Sequence, residues 1–257
     1  MKLLIVILAI IAVVSADRIE LRDGVLGRSI SSSAIDAIEK MRDQMPCGFP
    51  KYGIPPLAPL KIEHKELALK TNSLSVDGVV EGVRIDGLNN FEISEFKINV
   101  IFSKVTFSFF WPSIVVRSMY DLETSAKAYG FTVDVKGKGN ILMDLKELQI
   151  SGTIKYSIFN GVKVKTLEIV PSIGDVDSNI DGILGQGLGN KKMNEFLEEL
   201  ILLGCNDNQE LITKTIEDML VPKINEACEG YTLTDIIGII AGGEGGETEK
   251  CIPPPED

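Results

Sequence analysis

Two periodicities divide the chain. Between residues 29 and 45, Ile30, Ala34, Ile35, Ile38, Met41 and Met45 recur at spacings of three and four, which marks one apolar face of a helix. Ser31, Ser32 or Ser33 offers a cap at its start, and Pro46 and Gly48 end it. Residues 48–60 follow with Pro50, Pro55, Pro56 and Pro59. Proline fixes φ and removes a backbone donor, so this stretch is neither helix nor central strand, and it reads as an extended, stiff connector.

From Leu60 the period drops to two. Leu60, Ile62, Leu67 and Leu69 carry a first piece, and Val79, Val83 and Ile85 a second. Phe91, Ile93, Phe96, Ile98, Val100 and Phe102 alternate with polar residues, with a slip of phase at Glu95 that predicts a bulge. Val105, Phe107, Phe109 and Trp111 resume the pattern up to Pro112. Further pieces lie at 114–119, 122–128, 131–135, 141–145, 148–158 and 162–169, with Gly137-Lys138-Gly139 read as a turn. The pattern predicts about eight to ten strands in an antiparallel meander. Most are apolar on one face only, and that face must be covered by helices, a second sheet or a ligand. Beyond Pro171 a Gly/Asp/Asn-rich loop is expected over 175–190, then helices over 191–203 and 209–227, with a kink at Pro222. A short apolar segment, 232–240, precedes a Gly- and acid-rich tail. The fold class is α+β.

Compartment and charge narrow the function. Lys2, an apolar run over residues 3–14 and Ser15-Ala16-Asp17 read as a secretory signal peptide cleaved after Ala16. The domains expected are therefore the signal peptide (1–16), one domain (17–240) and the tail (241–257). No later apolar run reaches membrane-spanning length, so stable membrane insertion is not expected. The formal net charge of −11 opposes binding to nucleic acid and to anionic membranes. Secretion makes Cys47, Cys205, Cys228 and Cys251 disulfide candidates, with three connectivities. If 207–227 is one helix, Cys205 and Cys228 sit at opposite ends of roughly 30 Å, beyond the roughly 4–7 Å that a bridge needs between Cα atoms. An antiparallel first and last helix would then bring Cys47 to Cys205 and leave Cys228 for Cys251, whereas a break at Pro222 would allow Cys205 to pair with Cys228. No C-x-x-C occurs and His64 is the only histidine, so neither a zinc cluster nor another metal or cofactor is expected.

Motifs for chemistry are weak. Asp177-Ser178-Asn179-Ile180-Asp181-Gly182 imitates the start of a calcium loop, but Leu188 stands where the bidentate glutamate belongs. It reads as a polar surface turn. Residues 182–189 carry four glycines without dinucleotide or phosphate-loop spacing. His64 lies among Glu63, Lys65 and Glu66, and no Gly-x-Ser-x-Gly elbow occurs, so a solvated histidine is expected rather than a catalytic base, and not an enzyme. The aromatic series is more suggestive. At period two, Phe107, Phe109 and Trp111 present together, either as core or as the wall of an apolar cavity.

The order of features resembles the insect takeout and juvenile-hormone-binding protein family, related in fold to the tubular lipid-binding proteins. The residues that carry the resemblance are Gly53-Ile54-Pro55-Pro56-Leu57-Ala58-Pro59-Leu60, where the family commonly has an acid at the position of Ala58, and Gly87-Leu88-Asn89-Asn90-Phe91. Tyr120 before a strand, Gly137-Lys138-Gly139 and Asn194-Glu195-Phe196-Leu197 follow in the same order. The resemblance spans about residues 29–240. It implies a long, strongly curved antiparallel sheet wrapped around a long C-terminal helix, and an interior that holds an apolar ligand. The family's cysteine pair before or within the first helix is missing, since residues 17–46 contain no cysteine. The resemblance therefore extends to carriage of a hydrophobic molecule and not to juvenile hormone in particular. The expected function is a secreted, extracellular carrier of a lipid, fatty acid or terpenoid in an internal apolar tunnel. Phe107, Phe109, Trp111, Phe131 and Val133 are the expected lining, chosen from strand phase. The alternatives are an interaction protein with a self-filled core that meets a receptor or a microbial surface and, last, a hydrolase using His64.

Overall fold

The computed structural model describes residues 25–50, 54–70, 74–99, 101–128, 131–159, 161–182, 188–231 and 251–252. The expected signal peptide, the 232–240 segment and most of the expected tail lie outside them. In chain order the elements are α1 (Val25–Gln44), β1 (Leu60–Lys70), β2 (Leu74–Asp86), β3 (Glu92–Asn99), β4 (Lys104–Ala128), β5 (Phe131–Ser157), β6 (Lys163–Ser172), β7 (Asp175–Ile180), α2 (Leu188–Asp207) and α3 (Gln209–Ala227). The seven strands form one antiparallel sheet.

Its spine is the β4–β5 hairpin, 25 and 27 residues long, paired from Lys104↔Lys155 to Ala128↔Phe131. Two strands share each flank. β3 pairs with the first part of β4 and β2 with the rest. β6 pairs with the last part of β5 and β7 with its middle. β1 adds an outer strand to β2. Several short strands read from the sequence are therefore pieces of two long ones. Gly137 and Gly139 are not a turn but places of close approach. A Cβ on Gly137 would meet the Tyr120 ring, and one on Gly139 would meet the backbone oxygen of Asp181 at 2.4 Å.

Phase slips let these long strands keep apolar residues inside. In β2, Ile85 faces Val116 and Val80 faces Tyr120, with a register shift between Glu81 and Arg84. Gly82 stands there at φ 57. One extra residue changes the parity of β2, so Val80 and Ile85 share a face. A change of side-chain parity also crosses the spine between Trp111↔Leu148 and Ser113↔Lys146, with the register unchanged. Pro112 and Glu147 lie between, and Glu147 has φ 53. Both strands gain one residue at the same level. The apolar set passes from Phe109 and Trp111 to Ile114 in β4, and from Ile150 and Leu148 to Leu145 in β5, without loss of register.

Two other expectations change. Residues 175–180 form β7, with Val176 and Ile180 buried, rather than a loop. The proline-rich stretch is a compact corner rather than an extended connector. Phe49 and Ile54 exchange backbone hydrogen bonds, the Leu57 amide donates to the Met45 carbonyl at 2.9 Å, and Ile54 and Leu57 are buried. α3 runs unbroken through Pro222.

The helices cover the sheet and also close its β6–β7 edge. The Asn225 side chain accepts from the Val164 amide and donates to its carbonyl, and Glu217 accepts from the Leu167 amide. Thr213 and Gln209 donate to the carbonyls of Ile169 and Pro171. Asn206 brackets Ile173 in the same two-way fashion. In α2, Asn194 does so at Ile180, and Glu198 accepts from the Ser178 amide. A free sheet edge exposes backbone donors and acceptors that must be paired or solvated. Here a stripe of helix side chains at near-fourfold spacing takes the place of an eighth strand.

The two-disulfide expectation is also revised. Cys47 bonds Cys251, and Cys205 and Cys228 are free thiols. Cys205 lies in α2 and Cys228 just beyond α3, so the intervening helix keeps them apart, and Cys47 meets the returning tail instead of Cys205.

Candidate functional site

The expected lining residues do not converge. Phe107 and Phe109 are 2% and 5% exposed and lie in a packed core with Ile38 of α1, Ile154, Leu167, and Leu220 and Ile224 of α3. Phe109 meets Phe91 edge-on, with ring centroids 5.5 Å apart, and lies 5.8 Å from Phe107. Arg42 of α1 stands 5.7 Å from the Phe91 ring centre and donates to the Phe91 carbonyl. Trp111 is half-buried at the edge of this cluster, its Nε1 donating to the Leu88 carbonyl at 3.0 Å. Phe131 and Val133 pair with Ala128 and Ala126 at the far end of the hairpin. That is about 65 Å of strand from Phe107, and their side chains lie outside the described residues. One end of the molecule is thus filled by its own aromatic side chains.

The other end differs. Pairing aligns Leu60, Ile85, Val116 and Met143 in one row across β1, β2, β4 and β5. Ile62 and Val83 make a parallel row, and Ile141 and Leu122 belong to the same face by strand parity. None of these apolar side chains is fully buried, and Ile62 is exposed. The reverse face is charged. Lys136 pairs with Glu123, Lys138 with Asp121, Arg117 with Asp86, and Lys146 with Asp175 and Asp177. The carboxylate neighbours raise the pKa of Lys136, Lys138 and Lys146. Asp177, the first residue of the calcium-loop imitation, is therefore part of an ion pair on a strand. A sheet that is charged outside and apolar inside, with the inside only half covered, can hold an apolar molecule.

Sequence phase alone missed these residues. Their signal was present as the Val83/Ile85, Val116 and Ile141/Met143 alternation, but nothing local separates a wall that is covered from one that is not. Tyr120 lies on the same face, between Val116 and Leu122. It is buried, its ring lies over Gly137, and its hydroxyl donates to the Asp181 carbonyl at 2.5 Å. Burial, with the Asp181 charge second, raises its pKa. A separate open cleft of about 500 Å³ between α1 and β3 carries Glu39, Glu95 and Lys97 among its lining, which suits an apolar guest poorly.

Catalytic chemistry finds little footing. His64 is exposed on β1, 3.6 Å from the Glu81 carboxylate. Among the described residues no group of histidine, cysteine and acid side chains could hold a metal ion. No described helix is long and apolar enough to cross a membrane.

The architecture is shared with a solved protein. The chain is similar to Takeout 1 of Epiphyas postvittana, with a TM-score of 0.54 over 79% of this chain and 94% of that one, at 13% identity. It also overlaps lipopolysaccharide binding protein over 77% of this chain and 39% of that one, at 15% identity and a TM-score of 0.29. A search of curated protein sequences finds no match. A family model described as haemolymph juvenile hormone binding protein matches residues 5–238. Family and fold are those of binding proteins for hydrophobic ligands, not of enzymes. The match over nearly the whole chain shows that this protein belongs to the haemolymph juvenile hormone binding protein family.

Proposed function

We propose that the protein is a secreted carrier that holds a small hydrophobic ligand, such as a fatty acid or terpenoid, against the half-covered apolar face of β1, β2, β4 and β5. The observation that carries this reading is the contrast between the two ends of one sheet: a solid aromatic core at one, and aliphatic rows short of full burial at the other. Binding needs no chemistry. A ligand that loses about 300 Å² of apolar surface to this face gains about 7–8 kcal/mol, before the cost of immobilising it. The leader at residues 1–16 and the Cys47–Cys251 bond suit an extracellular setting.

Titration of the delipidated protein with fatty acids and terpenoids tests the reading, with extraction and mass spectrometry of anything that co-purifies. Met143→Glu places a charge on the apolar row and should weaken binding at least about tenfold, since an unpaired charge there must be desolvated. If no ligand is extracted, none is bound on titration, and Met143→Glu changes nothing, the reading fails. The packed aromatic end then favours the second reading, an extracellular interaction protein with a self-filled core.

A further inference from the structure

We propose that the end of the sheet formed by the β3–β4 and β5–β6 turns is a docking tip for the surface of an anionic lipid bilayer. Turns ordinarily carry small or polar residues. These two carry Ile101 and Phe102, and Ile158 and Phe159, which are 68%, 74%, 49% and 81% exposed. The β4–β5 pairing places the two turns side by side, and the Tyr156 amide donates to the Ser103 carbonyl at 3.0 Å between them. Tyr231, also exposed, joins the same end, its carbonyl accepting from the Val162 amide. The Phe102 amide donates to Asn99 Oδ1 at 3.0 Å, so this turn is held in place. Solvated apolar side chains gathered on built turns mark an interaction surface.

Charge identifies the occupant. Lys104 and Lys155 stand directly opposite each other just behind the turns, and Lys163 faces Ser157 one step nearer the tip on the same face of the sheet. Like charges directly across a sheet destabilise it, and none of the three lysines has an ion-pair partner among the described residues. Among the described residues, the acids nearest in sequence to Tyr231 are Glu226 and Glu229, at the end of α3 and in the turn after it. Apolar tips that enter the acyl boundary, with three lysines behind them at the headgroup level, match an anionic bilayer. The net charge of −11 opposes approach by the rest of the surface, so contact is confined to this end and is reversible. Docking does not rest on the carrier reading, because the tip is built from side chains that take no part in the half-covered face.

The test is co-sedimentation of the full-length protein, with and without fatty acid, on phosphatidylcholine vesicles made with or without phosphatidylserine. Binding should require phosphatidylserine and weaken as salt is raised. Phe102→Ser with Phe159→Ser should reduce it at least about tenfold, and Lys104→Gln and Lys155→Gln about fivefold each. All four side chains lie outside the core, so the thermal unfolding midpoint should not fall, and either lysine substitution relieves a like-charge pair. No binding to either vesicle, or binding indifferent to these changes, overturns the proposal. So does a self-association, seen by sedimentation, that Phe102→Ser and Phe159→Ser abolish, because the tip would then seat a second copy. A protein that binds vesicles but no ligand would leave the tip standing and the carrier reading refuted.

Discussion

Phe107 lies directly over Gly152 on the neighbouring strand. A Cβ on Gly152 would come within 2.2 Å of the Glu168 carbonyl oxygen and 2.6 Å of Phe107 Cζ. The site is closed by backbone on one side and by a fully buried ring on the other. Gly152→Ala should therefore cost about 1–3 kcal/mol by overpacking, read from urea unfolding, and an unchanged midpoint would show that the core yields more easily than its packing suggests. Tyr120 makes a pH-dependent contribution. Its pKa is raised above the ordinary tyrosine value of 10.0 by burial first and by Asp181 second. Below pH 10 the hydroxyl is neutral in both folded and unfolded chains and the contribution is complete. As pH rises past that value the unfolded chain loses the proton first, and stability falls. Tyr120→Phe should lose about 1 kcal/mol at neutral pH, from the bond to Asp181, and should show a shallower decline above pH 10 in thermal melts.

At the scale of elements, the C-terminal helices act as a substitute strand. Asn194 is buried and takes both the amide and the carbonyl of Ile180. Asn194→Leu keeps the volume but leaves the Ile180 amide without a partner, while the Ile180 carbonyl keeps its bond from Asn190, a loss of about 1–3 kcal/mol. Hydrogen exchange should localise the damage, with the Ile180 amide losing protection while those in the β4–β5 centre keep it. The stripe explains why α2 and α3 look less amphipathic than α1. Asn206, Thr213, Glu217 and Asn225 occupy inward positions that a periodicity search scores as polar, yet each faces protein rather than water.

For the whole molecule, one covalent link joins the first corner to the tail. Cys47 and Cys251 are separated by 204 residues, so the bond closes nearly the entire described chain. On the chain-entropy view, losing a loop of that size costs about 5 kcal/mol, and Cys47→Ser should lower the unfolding midpoint accordingly. Alkylation of the unfolded, unreduced protein should label Cys205 and Cys228 and no other cysteine. Both thiols have a pKa raised by burial, so the folded protein should label more slowly at neutral pH.

Alternation of side chains is a local property, and it was enough to separate the helices from a one-faced antiparallel sheet, to place the phase slip at Glu95 and to set the α+β class. Local sequence also carried the Gly-Ile-Pro-Pro-Leu corner and the aromatic run of β4. What it could not decide is where the ends of distant segments meet. Prolines and glycines punctuate a strand in the same way whether they mark a turn or, like Gly137 and Gly139, admit a ring and a passing backbone. Burial depends on what lies across the sheet, so Phe107 and Val83 show the same alternation, although one is sealed under two helices and the other is not. The pairing of Cys47 with Cys251, the helix stripe on the β6–β7 edge and the meeting of two apolar turns all arise from long-range packing, which depends on the three-dimensional path of the chain.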